Sequence, residues 1–295
     1  MNEWDREFEV DAEAVRRVAA PARGWRLLSS GWDCDAWLAD EAVVWRVPRR
    51  KVGIAAIERE ARIMPRLAPR LPARVPVPVL VHANGLPPLA RHELVPGQEL
   101  AVAMEAGAEP GASLGAGLGA ALGGFMCALH LPDHARELGH LLPTDPMGRS
   151  DPARRIPLTH ARLDAIAHLE DVGPLRAIVD AAAGPAHAAS VVCHGDLHIR
   201  HVVVDDAAGL GGVIDWGDCC VGAVAMDLAV VTALDPAGSD AFFRAYGAVD
   251  ATAWRHARML GVMFGAILLA ADPEGPGGRG ARRWLRRLRD GVVGT

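Results

Sequence analysis

His194-Gly195-Asp196-Leu197-His198-Ile199-Arg200-His201 is followed, nineteen residues past Asp196, by Ile214-Asp215-Trp216. Between them lie a β-branched run, Val202 to Val204, the turn-rich stretch Asp205-Asp206-Ala207-Ala208-Gly209, and a second β run, Val213-Ile214. Two such runs joined by Asp and Gly read as a hairpin, which places the two motifs in loops at its two ends. A carboxylate after a His-Gly turn, a side-chain ligand five residues on and a second carboxylate across a hairpin are the groups that phosphoryl transfer uses.

That chemistry asks little covalent work of a protein: an oriented hydroxyl, metal ions that neutralise phosphate charge, and in-line placement. Asp196 is suited to accept a hydrogen bond from the acceptor hydroxyl and take its proton. Asp215 is suited to bind Mg²⁺ bridging nucleotide phosphates. His201 stands where this type of loop usually has Asn. Imidazole is a softer ligand than an amide oxygen and less typical of Mg²⁺, so His201 either ligates the metal, holds a metal-bound water or only caps the loop.

Composition sets the frame. The chain has 295 residues, 51% hydrophobic and 23% charged, enough for two lobes with separate cores and too apolar for wholesale disorder. With 31 basic and 36 acidic residues the formal charge is −5, which disfavours nucleic acid as a partner. Cys34, Cys127, Cys193, Cys219 and Cys220 form an odd set without CxxC spacing. No amino-terminal signal peptide is read, and the expectation is reduced thiols in a cytoplasm. The longest uncharged apolar run, Met259 to Ala271, is about five residues short of a membrane span and reads as a buried helix. No membrane association is expected, and the chain is taken as a monomer.

Along the chain, Trp25 to Ser29 and Ala42 to Val47 read as strands of a small antiparallel sheet, joined by a loop through Gly31, Asp33 and Asp35. Ile54, Ile57, Ala61 and Met64 repeat at helical spacing and predict a helix over Lys51 to Leu67, limited by Pro65 and Pro69. Val75 to Val81 is the next expected strand, and Leu89 to Leu100 a strap ending in a Pro-Gly turn. The Ala/Gly/Leu-rich stretch from Gly111 to Leu131 is expected to be a helix whose glycines permit close packing. Residues 132–160 read as loop-rich, 161–190 as mostly helical, and the chain after Asp227 as helical to a basic stretch, Arg279 to Arg289.

His194-Gly195-Asp196-Leu197-His198, Val202-Val203-Val204-Asp205, Gly212-Val213-Ile214-Asp215-Trp216 and Asp227-Leu228-Ala229 together resemble the aminoglycoside phosphotransferase family of antibiotic kinases. The landmarks run from about Gly24 to Ala229, and His201 is similar to the macrolide-phosphotransferase branch. The resemblance implies an α+β, two-lobed protein-kinase-like fold: residues 1–95 a nucleotide-binding lobe with a small antiparallel sheet, residues 96–295 a mainly helical lobe with the catalytic loop and acceptor pocket. It implies ATP or GTP as co-substrate with Mg²⁺.

The resemblance also puts Arg46 where the family's strand presents a phosphate-binding Lys, and an Arg retains the charge. Its partner carboxylate comes from the following helix. Spacing does not separate Glu58 from Glu60, and the family's Arg-Glu-Ala pattern favours Glu60. Ser30 and Gly31 belong to the loop that covers the phosphates, and backbone at His92, Glu93 and Leu94 meets the base. His194 supports the catalytic turn and Asp227 anchors it by accepting backbone hydrogen bonds. His198, Asp218 and Asp235 are candidates to touch the acceptor.

The implied function is transfer of a nucleoside triphosphate's γ-phosphate to a hydroxyl of a small molecule. An antibiotic is expected, whether aminoglycoside, macrolide or tuberactinomycin-type peptide, with resistance by inactivation. A metabolic kinase for an amino alcohol or sugar and a nucleotide-binding pseudokinase are alternatives; Asp196 and Asp215 together argue against the latter. A metal-dependent hydrolase built on His194, His198 and His201 would need a helix here, which Gly195 and the β run disfavour.

Overall fold

The computed structural model describes residues 6, 7, 9, 10, 12–19, 22, 24–106, 115–207 and 209–291. The chain divides into two compact units: Met1–Pro69 with Val75–Val95 and Asp215–Asp218, and Arg70–Arg74 with Pro96–Ile214 and Cys219–Thr295.

The first unit contains α1 (Ala12–Ala19), β1 (Trp25–Ser30), β2 (Cys34–Ala39), β3 (Val43–Pro48), α2 (Lys51–Leu67), β4 (Val79–Val81) and β5 (Leu89–Glu93). The strands form one antiparallel sheet in the order β1-β2-β3-β5-β4. Alternation along β3 divides its side chains between two faces. Trp45 and Val47 pack with Val15 and Ala19 of α1, and Trp25 stacks on Trp37 with ring centroids 5.5 Å apart. Val44 and Arg46 take the other face, where Cys34, Ala90 and Ile57 of α2 cluster.

Three expectations are corrected in this unit. The stretch read as a hairpin loop contains a full strand, β2, because the chain reverses at Asp40 and Glu41, both at φ +53, a left-handed turn made without glycine. The strand expected over Val75–Val81 is only β4, since Pro76 and Pro78 have no N–H to give to a ladder. Helix α2 matches its expected bounds, but its buried face is Gly53, Ala56, Ile57, Glu60, Ile63, Met64 and Leu67, with Ile54 and Ala61 at the edge. Pro65 lies inside the last turn, and the helix ends two residues later.

The second unit comprises β6 (Gln98–Glu99), α3 (Leu100–Ala106), α4 (Gly115–Leu129), α5 (Pro132–Leu138), α6 (Pro152–Ile166) and α7 (Gly173–Asp180), then β7 (Val191–Cys193), β8 (Val202–Val204), β9 (Leu210–Val213) and β10 (Cys220–Gly222), and finally α8 (Ala225–Leu228), α9 (Pro236–Tyr246), α10 (Ala251–Ala271) and α11 (Pro276–Arg289). The glycines of α4 do permit close packing: a Cβ on Gly119 would collide with the Gly238 carbonyl, and one on Gly123 would lie 2.6 Å from that of Phe242 in α9. The beginning of that predicted helix, residues 111–114, lies outside the described residues. Met259 to Ala271 falls in α10, buried from Met259 to Ala266.

The stretch 132–160, read as loop-rich, contains α5 and most of α6. Each opens with Pro at its first position, where the missing N–H costs nothing, and Asp151 caps α6 by accepting from Ala153 N at 3.0 Å. Residues 161–190 hold only the end of α6 and α7. The expected hairpin is present, with Val202 opposite Val213, and Asp205 Oδ1 closes its turn by accepting from the N–H of Ala207 and Gly209 at 3.0 and 2.8 Å. No single helix among the described residues is long and apolar enough to cross a membrane; α4 and α5 pass such a test only together, as a pair bent by 44°.

Candidate active site

In the first unit β3 lifts Arg46 between two small neighbours, Ala36 on β2 and Ala90 on β5, which leaves room for a guanidinium on the α2 face. There Arg46 Nη1 pairs with Glu60, and Nη2 donates to Asp215 Oδ1 at 2.9 Å. Glu60, not Glu58, is the helix partner. Its side chain is 1% exposed, a carboxylate buried in the apolar face of α2 because a guanidinium meets it. Burial opposes the charge on Arg46, but Glu60 and Asp215 outweigh it and hold the guanidinium protonated well above its ordinary range.

Asp215 itself sits at φ +64, a left-handed conformation that turns its carboxylate back toward Arg46, and its side chain is 46% exposed. Asp218 follows in the same turn. Ser30 Oγ donates to Asp35 Oδ1 at 2.6 Å, and Arg49 donates to Ser30 Oγ and the Gly31 carbonyl at 2.9 and 2.7 Å, so the β1–β2 turn is braced from the residue that follows β3. His92 Nδ1 lies 2.8 Å from the Glu93 carbonyl, and Leu94 N–H donates to Ala42 O at 2.7 Å. Burial pushes His92 down to about 4, so the ring is neutral.

Asp33, in that same turn, has a buried Oδ1 without a hydrogen-bond partner. Burial, then the charges of Asp218 and Asp215, push its carboxyl up to about 6. A folded-state value above the ordinary 3.8 means the native protein holds this proton more tightly than the unfolded chain, so the group's contribution to stability falls as pH rises from about 4 to 6. Asp33→Asn is therefore expected to raise the thermal midpoint at pH 8 and to change it little at pH 4, a difference that paired melting curves will read.

In the second unit the strand β7 ends at Cys193 and the chain turns through Gly195, at φ +86, where a side chain would be strained. Asp227 fixes the turn: its carboxylate, with no exposed surface, accepts from His194 N and Gly195 N at 2.8 and 2.9 Å and from His130 Nε2 at 3.1 Å. Burial alone would raise the Asp227 carboxyl; the hydrogen bond and charge of His130, then His194 and Gly195 N–H, bring it below its usual value. His194 Nε2 donates to the Ile214 carbonyl at 2.9 Å while its Nδ1 accepts from Asp196 N at 3.3 Å, so both nitrogens are spent on the loop.

The loop then presents Asp196 with 26% of its side chain exposed. His201 Nδ1 donates to the Asp196 carbonyl at 2.8 Å, because a carbonyl only accepts. His198 stacks on His201 at 3.8 Å, and burial, followed by the charges of His201 and Arg200, pushes it well below its usual range. Its Nδ1 accepts from Arg200 N at 3.3 Å. Asp196, His198 and His201 each bring a potential ligand atom within 4.8 Å of the others, as do His130, Cys193 and Asp227. In the second group Asp227 already accepts from three N–H groups, and in the first His198 Nδ1 is already an acceptor. The loop is not helical, which removes the face on which a zinc-hydrolase pair would stand.

Within the first unit, Asp215, whose carboxylate is 46% exposed while one oxygen is held by Arg46, has the chemistry to take a divalent cation. Asp235 stands at the start of α9. It caps α9, its Oδ1 accepting from Gly238 N at 2.7 Å.

Two side chains escaped the sequence reading. Arg149, in the turn before α6, pairs with Asp196 Oδ1 at 2.9 Å, and His130, after α4, links Asp227 to Tyr246, whose Oη lies 2.8 Å from His130 Nδ1. Arg149 is forty-seven residues from Asp196 and His130 ninety-seven from Asp227, so no local spacing signals either.

The family model described as the phosphotransferase enzyme family matches residues 24–260. This chain belongs to that family. No curated protein sequence matches it. Among solved structures, the GDP complex of wild-type aminoglycoside 2'-phosphotransferase-IIIa is similar with a TM-score of 0.67 at 18% identity, over 94% of this chain and 96% of that one. Macrolide 2'-phosphotransferase type I gives 0.58 at 20% identity over 98% and 99%. The macrolide 2'-phosphotransferase MphH from Brachybacterium faecium, as apoenzyme, gives 0.55 at 23% over 93% and 97%. At these identities the likeness is one of fold, and it bears out the expected α+β kinase-like architecture of this phosphotransferase.

Proposed function

We propose that this phosphotransferase moves the γ-phosphate of ATP or GTP to a hydroxyl of a macrolide antibiotic in the cytoplasm, inactivating the drug. The nucleotide is assigned to residues 1–95 and the acceptor to residues 96–295. Arg46, oriented by Glu60, is the cation for the phosphates, and the braced turn at Ser30 and Gly31 supplies backbone over them. The backbone of His92, Glu93 and Leu94 takes the base. When bound, Mg²⁺ on Asp215, with His201 as nitrogen donor, would neutralise charge on the phosphate oxygens.

Asp196 accepts the proton of the attacking hydroxyl. As the acceptor's O–H bond breaks, a new O–P bond forms, the bond from the γ-phosphorus to the β–γ bridging oxygen breaks, and the nucleoside diphosphate leaves with that electron pair. His198, neutral, lies beside the carboxylate as a candidate to touch the acceptor.

The observation that carries the choice of acceptor is the set of groups around Asp196. Among the described residues they include a guanidinium and two imidazoles, with the ring of Phe264 5.6 Å from both Arg149 and His198. Polycations are served by carboxylates, and of the acidic candidates Asp235 is spent on capping α9 while Asp218 belongs to the turn of Asp215. The surroundings suit a large, weakly charged acceptor.

Similar folds are recorded with antibiotics of the other class, kanamycin in one case and gentamicin in another, which makes aminoglycosides the necessary control. Purified protein incubated with ATP or GTP and a macrolide, kanamycin, gentamicin or streptomycin is expected to yield phosphorylated macrolide by mass spectrometry. Phosphorylated aminoglycoside with untouched macrolide would refute the choice.

A further inference from the structure

We infer that Arg149 is the positioning residue for the proton-accepting carboxylate, an inference that rests on the assignment of Asp196 as the base. Its guanidinium takes hold of two successive residues of the catalytic turn. Nη1 donates to the Gly195 carbonyl at 2.7 Å and Nη2 to Asp196 Oδ1 at 2.9 Å. One rigid planar fork that grips a backbone carbonyl and the next residue's side chain fixes the carboxylate relative to its own main chain, which a flexible ammonium does not do.

Arg149 is itself a fixed support. Its side chain is only 10% exposed, its N–H donates to Asp145 Oδ1 at 2.8 Å, and its carbonyl accepts from His256 Nε2 at 2.8 Å. Burial, first, pushes His256 down to about 4, so that ring stays a neutral donor. The same Asp145 carboxylate also accepts from Ser150 N at 2.8 Å, so the turn is tied down on both sides of the guanidinium's attachment point.

With Oδ1 committed to Arg149, Oδ2 is the oxygen assigned to the acceptor hydroxyl. His198 Nε2 lies 3.7 Å and His201 Nδ1 3.9 Å from Oδ2. Arg149 thereby acts on the rate through Asp196.

The test compares wild type, Arg149→Ala, Arg149→Lys and Asp196→Asn as purified full-length chains, with a macrolide as acceptor and with water as acceptor through phosphate release from ATP. Arg149→Ala is expected to lower kcat on the order of 10²-fold, the effect of a small misplacement of a reacting group. KM for ATP is expected to stay within about twofold, because ground-state binding is not touched. Millimolar guanidinium chloride, far below denaturing levels, should restore at least about tenfold of that loss by refilling the vacated fork, and Arg149→Lys should fall between the two.

Unchanged kcat in Arg149→Ala overturns the inference, as does a loss that neither guanidinium nor Lys relieves, since a purely structural role would behave so. If the Ala variant does not fold, Arg149→Lys decides alone, and wild-type kcat in it overturns the inference. Asp196→Asn separates the two ideas: wild-type turnover in that variant refutes the base assignment itself. A wild-type chain that releases no phosphate to either acceptor refutes both.

Discussion

Asp196→Asn is expected to lower phosphoryl transfer by on the order of 10²- to 10⁴-fold, the range that a positioned proton acceptor contributes. The amide keeps the size of the carboxylate and an oxygen that still accepts from Arg149, so the clasp on Gly195 and on the side chain survives. What is lost is the ability to take a proton from the acceptor hydroxyl. The Arg46, Glu60 and Asp215 group is untouched, and nucleotide binding, followed by isothermal titration, should be preserved. A fall in kcat with KM for ATP held is the signature of an interaction made in the transition state; a rise in KM with kcat held would contradict the role.

Asp227→Ala, in α8, is expected to be the most destabilising single substitution among the residues that hold the catalytic loop. Three N–H groups, from His194, Gly195 and His130, converge on this one carboxylate, which has no exposed surface. Truncation leaves all three buried donors without their acceptor, at about 1–3 kcal/mol each before relaxation, and a net loss of about 3–5 kcal/mol follows from comparable buried networks. Urea unfolding monitored by tryptophan fluorescence measures it, and a loss under about 1 kcal/mol would contradict the anchoring role.

The pH dependence has a definite sign. Because the Asp227 carboxyl lies below its ordinary value in the folded protein, its stabilisation is present above that ordinary value and is lost as pH falls. The gap between wild type and Asp227→Ala should therefore narrow under acid, opposite to the behaviour expected of Asp33.

Sequence was most legible where periodicity and turn chemistry act locally. Helix α2, the Val202–Val213 hairpin and the buried α10 follow from apolar spacing and from an Asp-to-Gly turn. The strand β2 was hidden because Asp33 and Asp35 make its start look like a loop and its reversal uses Asp40 and Glu41 at left-handed φ, where a glycine would have given the turn away. Helices α5 and α6 were hidden by prolines that break helices in their interiors but open them at the first position.

Among the candidate residues, Asp196, His201 and Asp215 stand out in the sequence by their motifs, and Glu60 was reachable only by family pattern. On spacing alone a glutamate in the middle of a buried helix face looks misplaced; it becomes sensible once Arg46, fourteen residues earlier on a different element, is set against it. Arg149 and His130 act through contacts across the second unit, and no window of sequence contains both partners. Asp235, a candidate to meet the acceptor by its charge, also has a local role, since its Oδ1 caps the N-terminus of α9.

The most direct test follows labelled γ-phosphate from ATP or GTP into a macrolide, with wild type and Asp196→Asn side by side. The account predicts labelled macrolide from the wild-type chain and only background from the variant. Label that never leaves the nucleotide, or that enters the macrolide equally fast with Asn at position 196, would contradict it.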